Sequence, residues 1–117
     1  MVDHENLSFL DSQDLYVLFG NALDNAIENV MKEDEDKRVI LLNICRKSGF
    51  LSIHLENYCR TPPVFRDGLP QTTKKDIQNH GFGVRSIRYL TEQYGGHTVF
   101  QTSRNMFFLD IRIPIPS

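Results

Sequence analysis

Between Leu15 and Val30, eight apolar residues recur at helical spacing: Leu15, Leu18, Phe19, Ala22, Leu23, Ala26, Ile27 and Val30. They form one broad stripe that must be buried against another layer of structure. The opposite arc holds Asn21, Asp24, Asn25 and Glu28. Asp11 or Ser12 is placed to cap this helix, and Asp14 suits its first turn. The helix should fade near Met31. The charge run that follows, Lys32 to Arg38, is most simply a solvated turn.

Only strands and one further helix remain to cover the stripe. Val39 to Cys45 is rich in aliphatic and β-branched residues, and Leu51 to Glu56 alternates with period two. Lys47-Ser-Gly49 reads as the hairpin turn between them. Residues 58–80 show no usable periodicity and contain Pro62, Pro63, Gly68 and Pro70; loops of this length in a small domain are usually functional or disordered. A second helix is expected from about Val84 to Tyr94, with Val84, Ile87, Leu90 and Tyr94 inward, ended by Gly95-Gly96. A closing hairpin follows, Thr98–Thr102 and Phe107–Ile113 around a turn at Ser103-Arg-Asn105, stopped by Pro114 and Pro116. This order predicts an α+β two-layer sandwich, with one sheet face covered by helices and the other more exposed.

The chain has 117 residues, 40% of them hydrophobic and 24% charged, with a formal net charge of −2. That is the size and composition of one globular domain, here taken as residues 1–117 with 1–10 as a lead-in. The acidic balance argues against binding to duplex nucleic acid, which normally requires a basic excess. The longest apolar run, beginning at Val39, is far short of a membrane helix. Met1 to Asn6 has no basic end and no apolar run, so no signal peptide is expected. Cys45 and Cys59 form no CxxC pair, which suggests a reduced, cytoplasmic setting.

Four constellations can carry chemistry. Asn21, Asn25 and Glu28 stand at i, i+4 and i+7 and share one helix face. The amide oxygens of the two asparagines suit a magnesium ion whose remaining partners are water and phosphate; an ordinary polar face is the plainer alternative. In His80-Gly-Phe-Gly-Val-Arg85, two glycines at a helix start let backbone N–H groups approach an anion, although a flexible loop end gives the same pattern. Arg60, Arg66, Lys74 and Lys75 precede it and can clamp a polyphosphate, or form a solvated loop diluted by Asp67 and Asp76. Asn57, at the end of the second strand, can accept from the amino group of a purine.

In this order the four resemble the GHKL ATPase superfamily. The closest likeness is to the catalytic ATP-binding domain of bacterial sensor histidine kinases, leaning to the peptide-quorum-sensing subgroup. Leu18 to Glu28 corresponds to the N box. Thr72 to Asp76 with His80 to Ile87 corresponds to the lid end and second glycine box. Tyr94-Gly-Gly96 and the Phe107-to-Pro114 hairpin also fit.

The resemblance implies a Bergerat-type fold with a mixed sheet, an ATP lid over 58–80, and ATP and Mg2+ as cofactors. It implies Asn25 as principal magnesium ligand with Asn21 beside it. Gly81, Phe82, Gly83 and Val84 would lie around the triphosphate, with Lys74 as the lid cation and Asn57 at the adenine. Asn21, Asn25 and Lys74 are thus the candidate catalytic residues. Two departures stand out. Asn57-Tyr-Cys-Arg60 replaces the usual Asp-x-Gly-x-Gly, so the adenine-side loop must be built differently. Glu28 stands where many histidine kinases carry a base.

The implied partners are a dimerisation helix bearing the phosphoaccepting histidine and a downstream response regulator, with no nucleic acid and no direct membrane contact. The domain would be the cytoplasmic part of a membrane-bound sensor. A serine kinase of the anti-sigma-factor type, and a degenerate nucleotide-binding or interaction module, are the alternatives. His4 lies in a polar tail and is not expected to be the acceptor. His54 is expected on the sheet surface, and His97 in a structural role.

Overall fold

The computed structural model describes residues 8–71 and 81–116, with the backbone alone at 81 and 82. The first helix, α1 (Ser12–Met31), starts where Asp11 caps it: the Asp11 carboxylate accepts from the N–H groups of Gln13 and Asp14 at 2.8 and 3.4 Å. Leu18, Ala22, Ala26 and Val30 are its buried residues. Two alanines in that stripe keep the helix close to the sheet beneath it. Ahead of the cap, Leu10 is already buried and Phe9 meets Tyr94 edge-on, with ring centroids 6.4 Å apart, so these two lead-in residues are part of the core.

The charge run departs from a solvated turn. It contains a short 3-10 turn, Glu35–Lys37, and its Glu33 is buried. Lys37 Nζ lies 5.4 Å from the centre of the Tyr58 ring, within reach of a cation–π attraction.

Strands β1 (Ile40–Lys47) and β2 (Phe50–Tyr58) form the first hairpin. After β2 comes an element that the sequence did not announce, a small hairpin of β3 (Phe65–Arg66) and β4 (Leu69–Pro70). Its turn is Asp67-Gly68, with φ of 54° and 77°, the mirror-image turn for which an Asp-Gly pair is suited. Leu69 is buried beneath it, and Arg88 Nη1 donates to the Asp67 carbonyl at 2.6 Å. The first part of segment 58–80 is therefore built into the fold. Residues 72–80, with Lys74 and the rest of the expected lid, lie outside the described residues.

Helix α2 (Gly81–Gln93) begins three residues earlier than the periodicity predicts, because its first turn is the glycine motif itself. Val84 and Ile87 are buried, as is Thr91, whose hydroxyl donates to the Ile87 carbonyl at 2.7 Å. Leu90 is only half-buried, so Thr91 takes the inward place expected of it. Gly95, at φ 79°, ends the helix in the left-handed conformation. Strands β5 (His97–Ser103) and β6 (Met106–Pro114) complete the chain. A Cβ on Gly96 would strike the Arg112 carbonyl and come within 3.0 Å of the Ile113 Cα, so only glycine lets this link run against β6.

The sheet order is β1-β2-β6-β5, and all three ladders are antiparallel, which narrows the expected mixed sheet to that arrangement. Leu51, Ile53, Leu55 and Asn57 of β2 face the helices together with Phe107, Leu109, Ile111 and Ile113 of β6. Burying each such aliphatic or aromatic side chain contributes roughly 1.5–3 kcal/mol. The edge strand β1 is thinly covered, with Leu41 and Leu42 both exposed. On the outer face, His54 lies across from Asp110 in the β2–β6 ladder, a sheet-surface position as its alternation predicts. No described helix is long and apolar enough to cross a membrane.

Candidate functional site

The polar arc of α1 faces the start of α2. Asn21, Asp24, Asn25 and Glu28 enclose, with Gly83 and Val84, a recess of about 10 Å³, room for one water-sized body. Gly83 is central to this closeness. A Cβ there would lie 3.3 Å from Asn21 Oδ1, tighter than an ordinary contact, so the asparagine would have to give by a few tenths of an ångström. Four of the expected residues, Asn21, Asn25, Gly83 and Val84, thus meet at one place. The backbone of Gly81 and Phe82 opens the same helix turn.

A second, larger cavity of about 540 Å³ continues along α1. Asn25 and Glu28 line both spaces; beyond them the larger one takes in Asn29, Lys32 and Glu33 from α1 and its end. Its far wall is Cys59 to Val64, with Pro70, Gln71 and Phe107. The volume lies in the range of small-molecule sites.

Asn57 precedes that wall by two residues. It is fully buried on the core side of β2, and its Nδ2 donates to the Tyr58 carbonyl at 3.0 Å. This bond fixes the amide's orientation, since the carbonyl accepts only from nitrogen. Oδ1 is therefore the atom left over, buried with no hydrogen-bond partner among the described residues. Buried polar atoms are normally paired, so an orphan acceptor calls for an explanation. Asn29 supplies the complementary case: its Nδ2 is a buried donor with no partner among the described residues, on a residue that lines the cavity.

The sequence reading missed two residues here. Asn29 continues the series Asn21, Asn25 at the same four-residue step, which is the signal that could have found it. Glu33 follows Ala26 and Val30 at seven and three residues, so it extends the apolar stripe and not the charge run. Its Oε2 accepts the Arg60 N–H at 3.0 Å. Burial, reinforced by the Glu33 carboxylate, pushes the neighbouring Cys59 thiol up from its ordinary value, and Cys59 Sγ donates to the Thr61 carbonyl at 3.3 Å. Cys59 is thus a neutral wall residue.

Away from the site, His54 is held by two carboxylates, Nδ1 to Asp110 Oδ1 at 2.6 Å and Nε2 to Glu56 Oε2 at 2.8 Å. The Asp110 and then the Glu56 hydrogen bonds raise its pKa. His97 is exposed at the start of β5.

Among the described residues no group of three or more His, Cys, Asp or Glu side chains is placed to hold a metal. The donors at the recess are amide oxygens with carboxylates at its rim, a set that fits magnesium only when phosphate and water complete the shell.

The fold is shared with a solved structure, the histidine kinase AdeS of Acinetobacter baumannii, with a TM-score of 0.62 at 14% sequence identity. The match covers 92% of this chain and 48% of that one, so the chain spans about half the length of the kinase structure. No match is found among curated proteins. The model of the GHKL domain family matches residues 10–114, nearly the whole chain, and the protein belongs to that family.

Proposed function

We propose that the chain is the Mg-ATP-binding catalytic domain of a two-component sensor histidine kinase. The observation that carries this is the pair of neighbouring spaces along α1. An ion-sized recess beneath Gly83 shares Asn25 and Glu28 with a cavity large enough for a nucleoside. An elongated ligand with a metal-bound, anionic end and an aromatic end fits that layout.

In this reading the amide oxygens of Asn25 and Asn21 hold Mg2+, which when bound neutralises phosphate charge. The N–H groups at the start of α2, from Gly81 to Val84, face the phosphates, where the helix dipole favours negative charge. Gly83 admits the phosphate chain by having no side chain. Asn57 Oδ1 accepts from the exocyclic amine of adenine, and Asn29 Nδ2 donates to a ring nitrogen or ribose oxygen. The lid role passes to residues 72–80, with Lys74 offering its ammonium to the phosphates. Catalysis is then mainly positioning and charge neutralisation.

Neither described helix carries a histidine. The acceptor therefore belongs on a separate dimerisation helix, with a response regulator as the next recipient. Labelling with γ-labelled ATP tests this. The chain alone should take up no label, and the dimerisation helix of its parent protein should be labelled in trans on an acid-labile bond. Acid-stable labelling of a partner protein would favour a serine kinase instead. One observation favours a second reading, an interaction module with weak nucleotide affinity. The wall at Cys59 to Pro63 contains no glycine, and Asn57 is fully buried in this structure.

A further inference from the structure

Strand β1 is an edge of the four-stranded sheet, and its pairing with β2 is unbroken from Ile40 to Lys47. A ladder uses one side of each strand, so alternate N–H and C=O groups of β1 point outward from the sheet. Among the described residues, no backbone hydrogen bond beyond the β1–β2 ladder reaches Ile40–Lys47. Proteins usually guard such an edge with proline, a bulge or a charge. Ile40 to Cys45 has none of these: the register carries no bulge, and the residues are Ile-Leu-Leu-Asn-Ile-Cys.

The side chains leave the same edge uncovered. In register, Leu42 faces Leu55 on the core side, yet Leu42 is 41% exposed and Leu55 only 1%. On the opposite edge, Phe100 holds the equivalent place beside Leu109 and is buried. The difference lies in the helices: α2 packs on β5 and β6, whereas α1 packs mainly on β2. Val39 and Leu41 are exposed on the outer face. Ile27, exposed on the flank of α1 away from Asn21 and Asn25, extends the apolar surface on the core side.

Two features select what covers this edge. The first is charge. Lys37 lies over the Tyr58 ring and Arg38 donates to the Glu33 carbonyl, so both cations just before β1 are engaged within their own chain. Asp34, Glu35 and Asp36 remain exposed ahead of β1, and Arg46 and Lys47 are exposed at its end. An antiparallel copy of β1 brings the acidic start against the basic end, twice. The second is symmetry: Leu42 and Ile44 flank Asn43 on the core side, and Leu41 and Cys45 flank it on the outer side.

We propose that β1 pairs antiparallel with β1 of a second copy of this chain, about a two-fold axis at Asn43, joining the two sheets into one. With both helix layers on the same side, side-chain alternation allows only registers in which the central residue meets its own copy. Asn43 at the axis pairs Ile40 to Arg46 in full. Leu42 then meets Ile44 of the second copy and Leu41 meets its Cys45, each twice, while the two Asn43 amides face each other. The ladder spans about 20–25 Å. That is short for a standard interface, so the dimer is weak and reversible. The proposal stands independently of the nucleotide reading.

Sedimentation of the reduced chain from about 5 to 500 μM tests the pairing. The parent should show a reversible monomer–dimer equilibrium and nothing larger. Leu42→Lys puts a guarding charge on the edge and should weaken dimerisation by about tenfold or more. Val99→Lys, the same kind of change on the opposite edge, should stay within about twofold of the parent. Should a thermal melt show Leu42→Lys unfolded, Leu41→Lys on the outer face is expected to weaken the dimer as much. Asn43→Cys should form a disulfide-linked dimer under mild oxidation. The parent should not, because its two Cys45 residues stand roughly 14 Å apart in this register.

A parent that stays monomeric across the range overturns the proposal and leaves the edge to a strand of some other protein. A dimer that persists in both lysine variants of β1, or that Val99→Lys disrupts equally, also overturns it. So does a parent that cross-links through Cys45 as readily as Asn43→Cys.

Discussion

The Asn21 side-chain oxygen sits 3.3 Å from the point that a Cβ would occupy on Gly83. The glycine is there for proximity and not for an unusual backbone angle, since its φ lies outside the left-handed region. Alanine at this position therefore leaves the backbone unstrained but pushes the Asn21 amide by a few tenths of an ångström out of its place at the recess. It is also the better helix former, by up to about 1 kcal/mol. Gly83→Ala should leave the thermal midpoint unchanged or slightly raised while weakening Mg-nucleotide binding roughly tenfold. Calorimetric titration beside a thermal melt separates the two effects. Unaltered binding would show that the closeness of Asn21 and Gly83 has no part in the site.

Asn57 is more than an uncharged copy of the family's usual aspartate. Its Nδ2 donates to the Tyr58 carbonyl at 3.0 Å. In Asn57→Asp that contact becomes two oxygens facing each other in a buried place. The substitution should cost about 1–3 kcal/mol in urea denaturation, more at neutral pH than in acid, where the carboxyl regains a proton to donate. Full stability at neutral pH would mean that the Tyr58 contact is dispensable.

How much of this was legible without coordinates depends on how local the signal was. The Asp11 cap, the two long hairpins and the Gly95 stop all follow from spacing within a few residues and stand where expected, as does the stripe of α1 except at Ile27, which lies at the stripe's margin and is exposed. The small hairpin at Phe65 to Pro70 escaped because it is too short for periodicity. Its one signal, Asp67-Gly68, lay inside a segment dominated by prolines. Glu33 escaped for a different reason. Its neighbours in sequence are charged and exposed, and its side chain's partner is Arg60, 27 residues away. The gathering of Asn21, Asn25 and Gly83 was legible as two motifs. The distance between them was not, because it depends on how α1 and α2 pack over the sheet.

His54 should give the fold a pH dependence. The hydrogen bond to Asp110, and then that to Glu56, raise its pKa above 6.5. With a raised folded-state value, the stabilisation is complete below about pH 6.5 and is lost as pH rises through the folded-state value. Urea midpoints of the parent should therefore fall between about pH 6 and 8 relative to those of His54→Gln. Parallel curves for the two proteins would mean that the carboxylates do not hold the imidazolium.

The central claim is that the Asn25 face and the neighbouring cavity form one Mg-nucleotide site. Its most direct measurement is a calorimetric titration of the chain with a non-hydrolysable ATP analogue, with and without Mg2+, for the parent and Asn25→Ala. Asn25 projects from the polar arc, so the variant should fold as the parent does. The account predicts saturable binding by the parent that is much tighter with Mg2+, and loss of the Mg-dependent part in Asn25→Ala with an unchanged melt. Equal affinity of parent and variant for the Mg-bound analogue, or no binding by the parent at all, would contradict it.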